Sequence, residues 1–361
     1  MGSVTRFARS ANSTKHCPIT ATRKRESGEE PLGAAPSIKE RLKKLVVGQD
    51  EGLELLATLA EVYLANLHDP RRCAGAVLLL GPTGTGKTHT ALALAEVIHR
   101  KRSALVRIDC AEFTQRHEVA KLIGAPPGYI GYQTTEPFLG PKALNAARSE
   151  NCSLAIVLLD EIEKAHWQLH DLLLGVMDHG VLRMGDGSKT CFSSALIVMT
   201  SNVGSEQMDS VLNPAFGFVK TGRKDADFKR TVDLALRKHF RPEFLNRLDG
   251  FAVYKPLTED QIMRIIRLEL REAKIRATRA GVKLIIDKNV SRAIFREAYN
   301  PRYGAREVRR VIQRRILVPL ARLVTSGRLG DAEARRKGPA VEVGVGPDLS
   351  LVPRQLAVAA S

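Results

Sequence analysis

The chain has 361 residues with 44% hydrophobic content, enough to build cores in one large or two ordinary domains and too apolar for disorder throughout. Its formal charge of +17 first suggests a nucleic-acid partner, yet residues 1–45 hold 10 Lys/Arg against 4 Asp/Glu and residues 301–361 hold 12 against 5, so the excess sits at the two ends. Five scattered cysteines without a CxxC pair argue against a zinc module and fit a reducing, cytoplasmic compartment, and no apolar run approaches the roughly 18 residues of a membrane span.

Residues 1–37 mix Ser, Thr, Arg, Gly and Pro without periodicity and read as a disordered basic arm, with no apolar segment of the secretion-signal type. From Ile38 the chain alternates helical patterns with short apolar runs: AVLLL (76–80), ALVRID (104–109), LAIVLLD (154–160), ALIVMTS (195–201) and FAVY (251–254). Continuous Val/Ile/Leu runs of this length predict strands buried on both faces of a mostly parallel sheet, hence an α/β fold flanked by helices over residues 38–255. Ile162, Ala165, Leu169, Leu172 and Val176 recur at helical spacing and predict one amphipathic helix. After Pro256 the pattern is mainly helical, predicting a smaller C-terminal domain over 256–346: a helix through TEDQIMRIIRLELREAKIRATRAG, one at 288–298, one at 304–326, and a short strand near 340–345. Residues 347–361 read as a loose terminus.

Gly81-Pro82-Thr83-Gly84-Thr85-Gly86-Lys87-Thr88 lies between the first strand and a helix. Its glycines let backbone N–H groups curl around phosphates, Lys87 supplies charge to the β/γ oxygens of ATP, and Thr88 is placed to ligate Mg²⁺. The strand LAIVLLD ends in Asp160, a candidate to hold Mg²⁺ through water, followed by Glu161, a candidate to orient or deprotonate the attacking water; an acidic helix cap is the plainer alternative. ALIVMTS is followed by Asn202, which could probe the γ-phosphate or form an Asx turn. Phosphoryl transfer also needs cations for charge developing on the equatorial oxygens, and Arg241, Arg247 and Arg306 are the candidates.

Other features are less tied to phosphate. In GAPPGYIGYQ, glycines and prolines forbid helix or strand, so Tyr129 and Tyr132 read as displayed rings. Phe216-Gly217-Phe218 is either a docking element or a loop with an anchoring aromatic. His166 and His170 are four apart on a helical pattern but lack the glutamate of an HExxH site, so they read as packing or surface histidines.

In their order and spacing GPTGTGKT, VLLDEIEKAH, GAPPGYIGY, TSNVGS, HFRPEFLNRLD and NPRYGARE resemble the second ATPase module of the Clp/Hsp100 family of AAA+ unfoldases, from about Leu45 to Arg328. The resemblance implies an ATP- and Mg²⁺-dependent ATPase forming a homo-oligomeric ring, a hexamer in the family, that threads unfolded or tagged protein through a central pore. It assigns Val47 of VVGQDE to the adenine side, Asp160 and Glu161 to the hydrolytic pair, and Asn202 and Arg306 to the first and second sensors. Arg247 becomes the finger acting on a neighbour's ATP, and Gly128-Tyr129-Ile130-Gly131, with Tyr132 beside it, the substrate-gripping loop. Phe216-Gly217-Phe218 stands where peptidase-partnered members carry a similar tripeptide. The alternatives are a partner-specific disassembly ATPase and a nucleic-acid remodelling ATPase; the aromatic pore loop and the lack of a helix-turn-helix or zinc module argue against the latter.

Overall fold

The structure is a computed structural model that describes residues 36–124, 136–205, 224–299, 304–326 and 341–354. Two helices open it. Helix α1 (Ile38–Leu45) starts at a capping box in which Ser37 Oγ accepts from Glu40 N at 3.2 Å and Glu40 returns the contact, and α2 is Asp50–Leu64. Strand β1 (Gly75–Leu80) then runs through the phosphate loop into α3 (Lys87–His99). Next come β2 (Val106–Asp109), α4 (Arg116–Ile123), α5 (Pro141–Ala146), β3 (Ala155–Asp160) and α6 (Trp167–His179). A hairpin of β4 (Val181–Arg183) and β5 (Lys189–Cys191) leads into β6 (Ala195–Ser201). Helices α7 (Lys224–His239) and α8 (Pro242–Leu245) precede β7 (Gly250–Val253).

The sheet order is β2-β3-β6-β1-β7, all parallel, so each predicted strand is present. Successive side chains of a strand point to opposite faces, and the packing follows that alternation. Leu78, Leu80, Val157, Leu159, Ile197 and Met199 face one core with Leu169, Leu173, Phe240 and Phe244 from α6 to α8. Val77, Leu79, Ile156, Leu158, Leu196 and Val198 face a second with Leu42, Leu53, Leu56 and Leu94 from α1 to α3. The central strands are buried throughout because they are covered on both sides.

The amphipathic helix expected from Ile162 is interrupted. Ile162–Lys164 form a separate 3₁₀ turn, Ala165 is extended, and α6 begins only at Trp167, with His166 Nδ1 accepting from Gln168 N at 3.3 Å as the cap. Period alone cannot register that break, because Ile162 is buried in the same core as Leu169.

The C-terminal region has its own core. Helix α9 (Glu259–Arg279), β8 (Val282–Ile286), α10 (Val290–Ala298) and α11 (Ala305–Ile312) are followed by a π-helical segment, Gln313–Leu317, and α12 (Val318–Thr325). The mainly helical reading misses a three-stranded sheet: β8 pairs in parallel with β9 (Val341–Val345), which pairs antiparallel with β10 (Leu351–Arg354). Residues 351–354, expected within a loose terminus, therefore form a strand. VKLII is only five residues long and follows the long helix after only Ala280 and Gly281, and its strand character is completed by the distant pairing with β9.

Candidate functional site

Ligands of open parallel sheets bind beyond the carboxyl ends of the strands. Here three neighbouring strands, β3, β6 and β1, deliver Asp160, the Thr200–Asn202 segment and the phosphate loop side by side, with Gly81 N donating to Ser201 O at 3.2 Å. Gly81 sits where a Cβ would lie 2.3 Å from the Tyr254 carbonyl, at φ +139°, so the loop leaves the sheet on a path open only to glycine.

Asp160 is the hub of one half of the site. Its Oδ1 accepts from Thr88 Oγ1 at 2.8 Å and from Thr200 Oγ1 at 2.6 Å, while Oδ2 pairs with Arg107 Nη2 at 2.9 Å. Lys87 anchors the other half: Nζ donates to the Gly81 carbonyl at 2.5 Å, the Pro82 carbonyl at 2.8 Å and Asn202 Oδ1 at 3.0 Å. Burial pushes the Lys87 ammonium down to about 8, opposed chiefly by Glu163 and Asp160 and assisted by the positive charge of Arg306. Asn202 joins the halves, since its Nδ2 donates to Glu161 Oε1 at 3.3 Å while its backbone N–H donates to Glu163 Oε1 at 3.0 Å. Glu161 itself adopts a left-handed backbone, φ 58°, uncommon for a residue with a Cβ, and its Oε2 pairs with Lys164 Nζ at 2.5 Å.

These groups open onto a cleft of about 1560 Å³ between the sheet region and the C-terminal helices. Lys87, Thr88, Asp160, Glu161, Asn202 and Arg306 line it together with the apolar Val46, Val47, Leu257, Ile265 and Leu268. Arg306 reaches it because Gly304, at φ 53°, lets the chain turn against the phosphate loop, where Ala305 N donates to the Gly84 carbonyl at 3.1 Å. His89, one residue past Thr88, accepts from Arg102 Nη2 at Nδ1 (2.6 Å) and lies 3.2 Å from the Leu45 carbonyl at Nε2. A guanidinium only donates and a carbonyl only accepts, so the ring is neutral with its proton on Nε2; burial, then Arg102, holds its pKa below the ordinary histidine value.

Arg241 and Arg247 do not line this cleft. Both lie against α6: Arg241 Nη1 is 3.3 Å from Asp171 Oδ1 and its guanidinium sits 5.3 Å from the Trp167 ring, and Arg247 Nε is 2.9 Å from Asp178 Oδ1. His166 and His170 hold no metal geometry; His170 packs on Phe240 and Phe244, and no cluster of metal-ligating side chains occurs among the described residues. Gly128, Tyr129, Ile130, Gly131, Tyr132 and Phe216-Gly217-Phe218 lie outside the described residues.

Sequence reasoning missed Arg107, Glu163 and Gln49. Gln49 Nε2 donates to the Lys255 carbonyl at 2.9 Å and the Thr85 carbonyl at 3.3 Å, and its Oε1 accepts from Lys255 N, stitching the start of α2 to the loop after β1 and the end of β7. The basic residue opposite a strand-end carboxylate and the polar residue inside VVGQDE were the available signals.

Two family models match the chain: AAA domain (Cdc48 subfamily) over residues 72–251, and the C-terminal, D2-small domain of ClpB protein over residues 257–336. The chain belongs to the Clp/Hsp100 family of AAA+ ATPases. Among its relatives, the chaperone protein ClpB of Rhodopirellula baltica is 42% identical over 284 residues, 79% of this chain and 31% of that protein. ClpB of Meiothermus ruber is 38% identical over 323 residues, covering 89% of this chain and 36% of the relative. A closed-state reconstruction of Hsp104 with ATPγS and FITC casein superposes with a TM-score of 0.70 at 26% identity, covering 87% of this chain and 52% of that one. The chain thus spans about a third of the length of these ClpB relatives. Proteins of this ATPase family bind nucleotide; in this cleft the apolar Val47 is chemically suited to a base, and Lys87 and Arg306 to phosphates. No helix among the described residues is long and apolar enough to cross a membrane.

Proposed function

We propose that the chain hydrolyses ATP in this cleft and couples turnover to remodelling of protein clients within a homo-oligomeric, hexameric ring of the Clp/Hsp100 kind, in the cytoplasm. The observation that carries the reading is the joined network of Lys87, Asn202 and Glu161 beside the Thr88–Asp160 pair, at three adjacent strand ends facing Arg306.

In this reading the loop 81–88 cradles the triphosphate and Lys87 exchanges carbonyl partners for phosphate oxygens. Thr88 Oγ1 and Asp160, hard oxygen donors 2.8 Å apart, suit Mg²⁺, which when bound would neutralise charge on the β and γ oxygens. Glu161 takes a proton from the attacking water once a carboxylate oxygen is released by Asn202 or Lys164. Asn202 is suited to that release, because the γ-phosphate competes for its amide. Arg306 faces the phosphates from the same chain, whereas Arg247, outside its own cleft, supplies charge to the nucleotide of an adjoining subunit. Tyr129 grips the client. The relatives are named chaperones, so a peptidase docked through Phe216-Gly217-Phe218 is not part of the proposal.

The test measures ATP affinity and turnover with and without an unfolded protein or DNA. Lys87→Ala should abolish nucleotide binding, and Glu161→Gln should bind ATP yet lose turnover by roughly a hundredfold or more. Stimulation by unfolded protein supports client remodelling; stimulation by DNA instead, or wild-type turnover in Glu161→Gln, overturns the reading.

A further inference from the structure

Arg247 is held from two directions. Asp171 and Asp178 are seven residues apart on α6, about two turns, and so share one face of the helix. Asp171 meets Arg241 and Asp178 meets Arg247 Nε. Behind them Arg72, just ahead of β1, donates from Nε to the Met177 carbonyl at 3.2 Å and from Nη2 to the Arg247 carbonyl at 3.5 Å. Its Nη2 also lies 3.9 Å from Asp249 Oδ1, while Asp249 Oδ2 accepts from Ala76 N at 2.7 Å. The turn bearing Arg247 is thus tied by its backbone to the last turn of α6 and the start of β1, and by its side chain to Asp178.

The chemistry of that side-chain contact is selective. A guanidinium is a fork of five N–H donors, and a carboxylate at Nε keeps the Nη1–Nη2 edge for a bidentate contact with phosphate oxygens. A long, half-exposed arginine must otherwise be frozen from many rotamers each time it meets a transition state. Exposed ion pairs contribute little to folding, and Arg247 and Asp178 have side-chain exposures of 52% and 27%, so stability alone gives this pair little to do.

We infer that Asp178, backed by Arg72, is a positioning residue for Arg247, holding its guanidinium in the pose in which it meets the nucleotide of an adjoining subunit. This rests on Arg247 acting across the subunit boundary, as proposed above. Asp178 touches no nucleotide itself; it acts through Arg247.

The experiment is a double-mutant cycle on the full chain at concentrations where it assembles, reading kcat, KM for ATP and melting temperature. Arg247→Ala should lower kcat on the order of a thousandfold. Asp178→Ala should lower kcat about tenfold to a hundredfold with KM and melting temperature near wild type. Asp178→Asn, which keeps the shape of the side chain but removes the charge paired with the guanidinium 2.9 Å away, should lose rate as Asp178→Ala does, and adding Asp178→Ala to Arg247→Ala should cost nothing further. If Asp178→Ala fails to fold, Asp178→Ser takes its place in the cycle. Wild-type kcat in Asp178→Ala, or a further loss in the double variant, overturns the inference while leaving the function standing. Wild-type kcat in Arg247→Ala removes the trans role itself, and the inference with it.

Discussion

The two walls of the cleft are assembled by different routes. On the sheet side, Gly81, Asp160 and Asn202 come from neighbouring strands of one buried sheet, and the Gly81 carbonyl and the side chains of Asp160 and Asn202 are bonded into networks by Lys87, Thr88 and Thr200. On the other side, Arg306 belongs to a region with a separate core, brought against the phosphate loop where Ala305 bonds the Gly84 carbonyl. The first wall is rigid because moving any member breaks a shared core and a shared network; the second can shift as a body at the cost of few contacts. Asp160 and Asn202 are therefore held by the sheet, whereas Arg306 stands on the region with its own core.

The largest expected effect comes from breaking the rigid wall. Asp160→Asn leaves Thr88, Thr200 and Arg107 without their common carboxylate, and turnover should fall roughly a hundredfold to a thousandfold while circular dichroism stays native. Turnover within a few-fold of wild type would show that the network is not the catalytic support it resembles.

Next in size is a wedge between the walls. A Cβ on Gly304 would stand 2.7 Å from the Gly84 oxygen at a φ of 53°, so Gly304→Ala should push Arg306 away and weaken ATP binding about tenfold, measured by calorimetric titration. Unchanged affinity would mean that the approach at Gly84 does not set the position of Arg306.

A third substitution asks whether the regions unfold separately. Ile294 is fully buried in the C-terminal core, and Ile294→Ala should cost that core about 2–5 kcal/mol. Trp167, the sole tryptophan of the chain, sits in the sheet region and reports on it by fluorescence. The expected result is an early circular-dichroism transition with the Trp167 transition unmoved; coincident shifts would make the two regions one cooperative unit.

The smallest effect is a labelling contrast. Cys191 is exposed on the β4–β5 hairpin, whereas Cys73, Cys110 and Cys152 are buried; burial pushes the Cys73 thiol up to about 11 and the Cys110 thiol further still. In a Cys17→Ser background a maleimide should modify Cys191 within minutes and spare the other three until the protein unfolds, as mass spectrometry would record. Early modification of Cys110 would contradict a rigid sheet-side wall.

Much of this was legible along the chain. The strands were, because a run such as AIVLLD can be buried on two faces only as a strand in a covered sheet. The positions of the phosphate loop, Asp160, Glu161 and Asn202 were, because each ends or directly follows such a run and strand ends are where parallel sheets bind. Local signal also carried α9, with its Thr258 cap and long apolar stripe. Tertiary structure alone decided the rest. Arg107 meets Asp160 because β2 and β3 are neighbours, a pairing of residues 53 apart that no local pattern encodes. The break before α6, where His166 N donates to the Phe113 carbonyl, the strand at 351–354 and the seating of Arg247 on Asp178 likewise depend on partners distant in sequence. Propensity and period act within a turn or two of chain, whereas register, ion pairing and the approach of one region to another are settled only when separate segments share one packed interior.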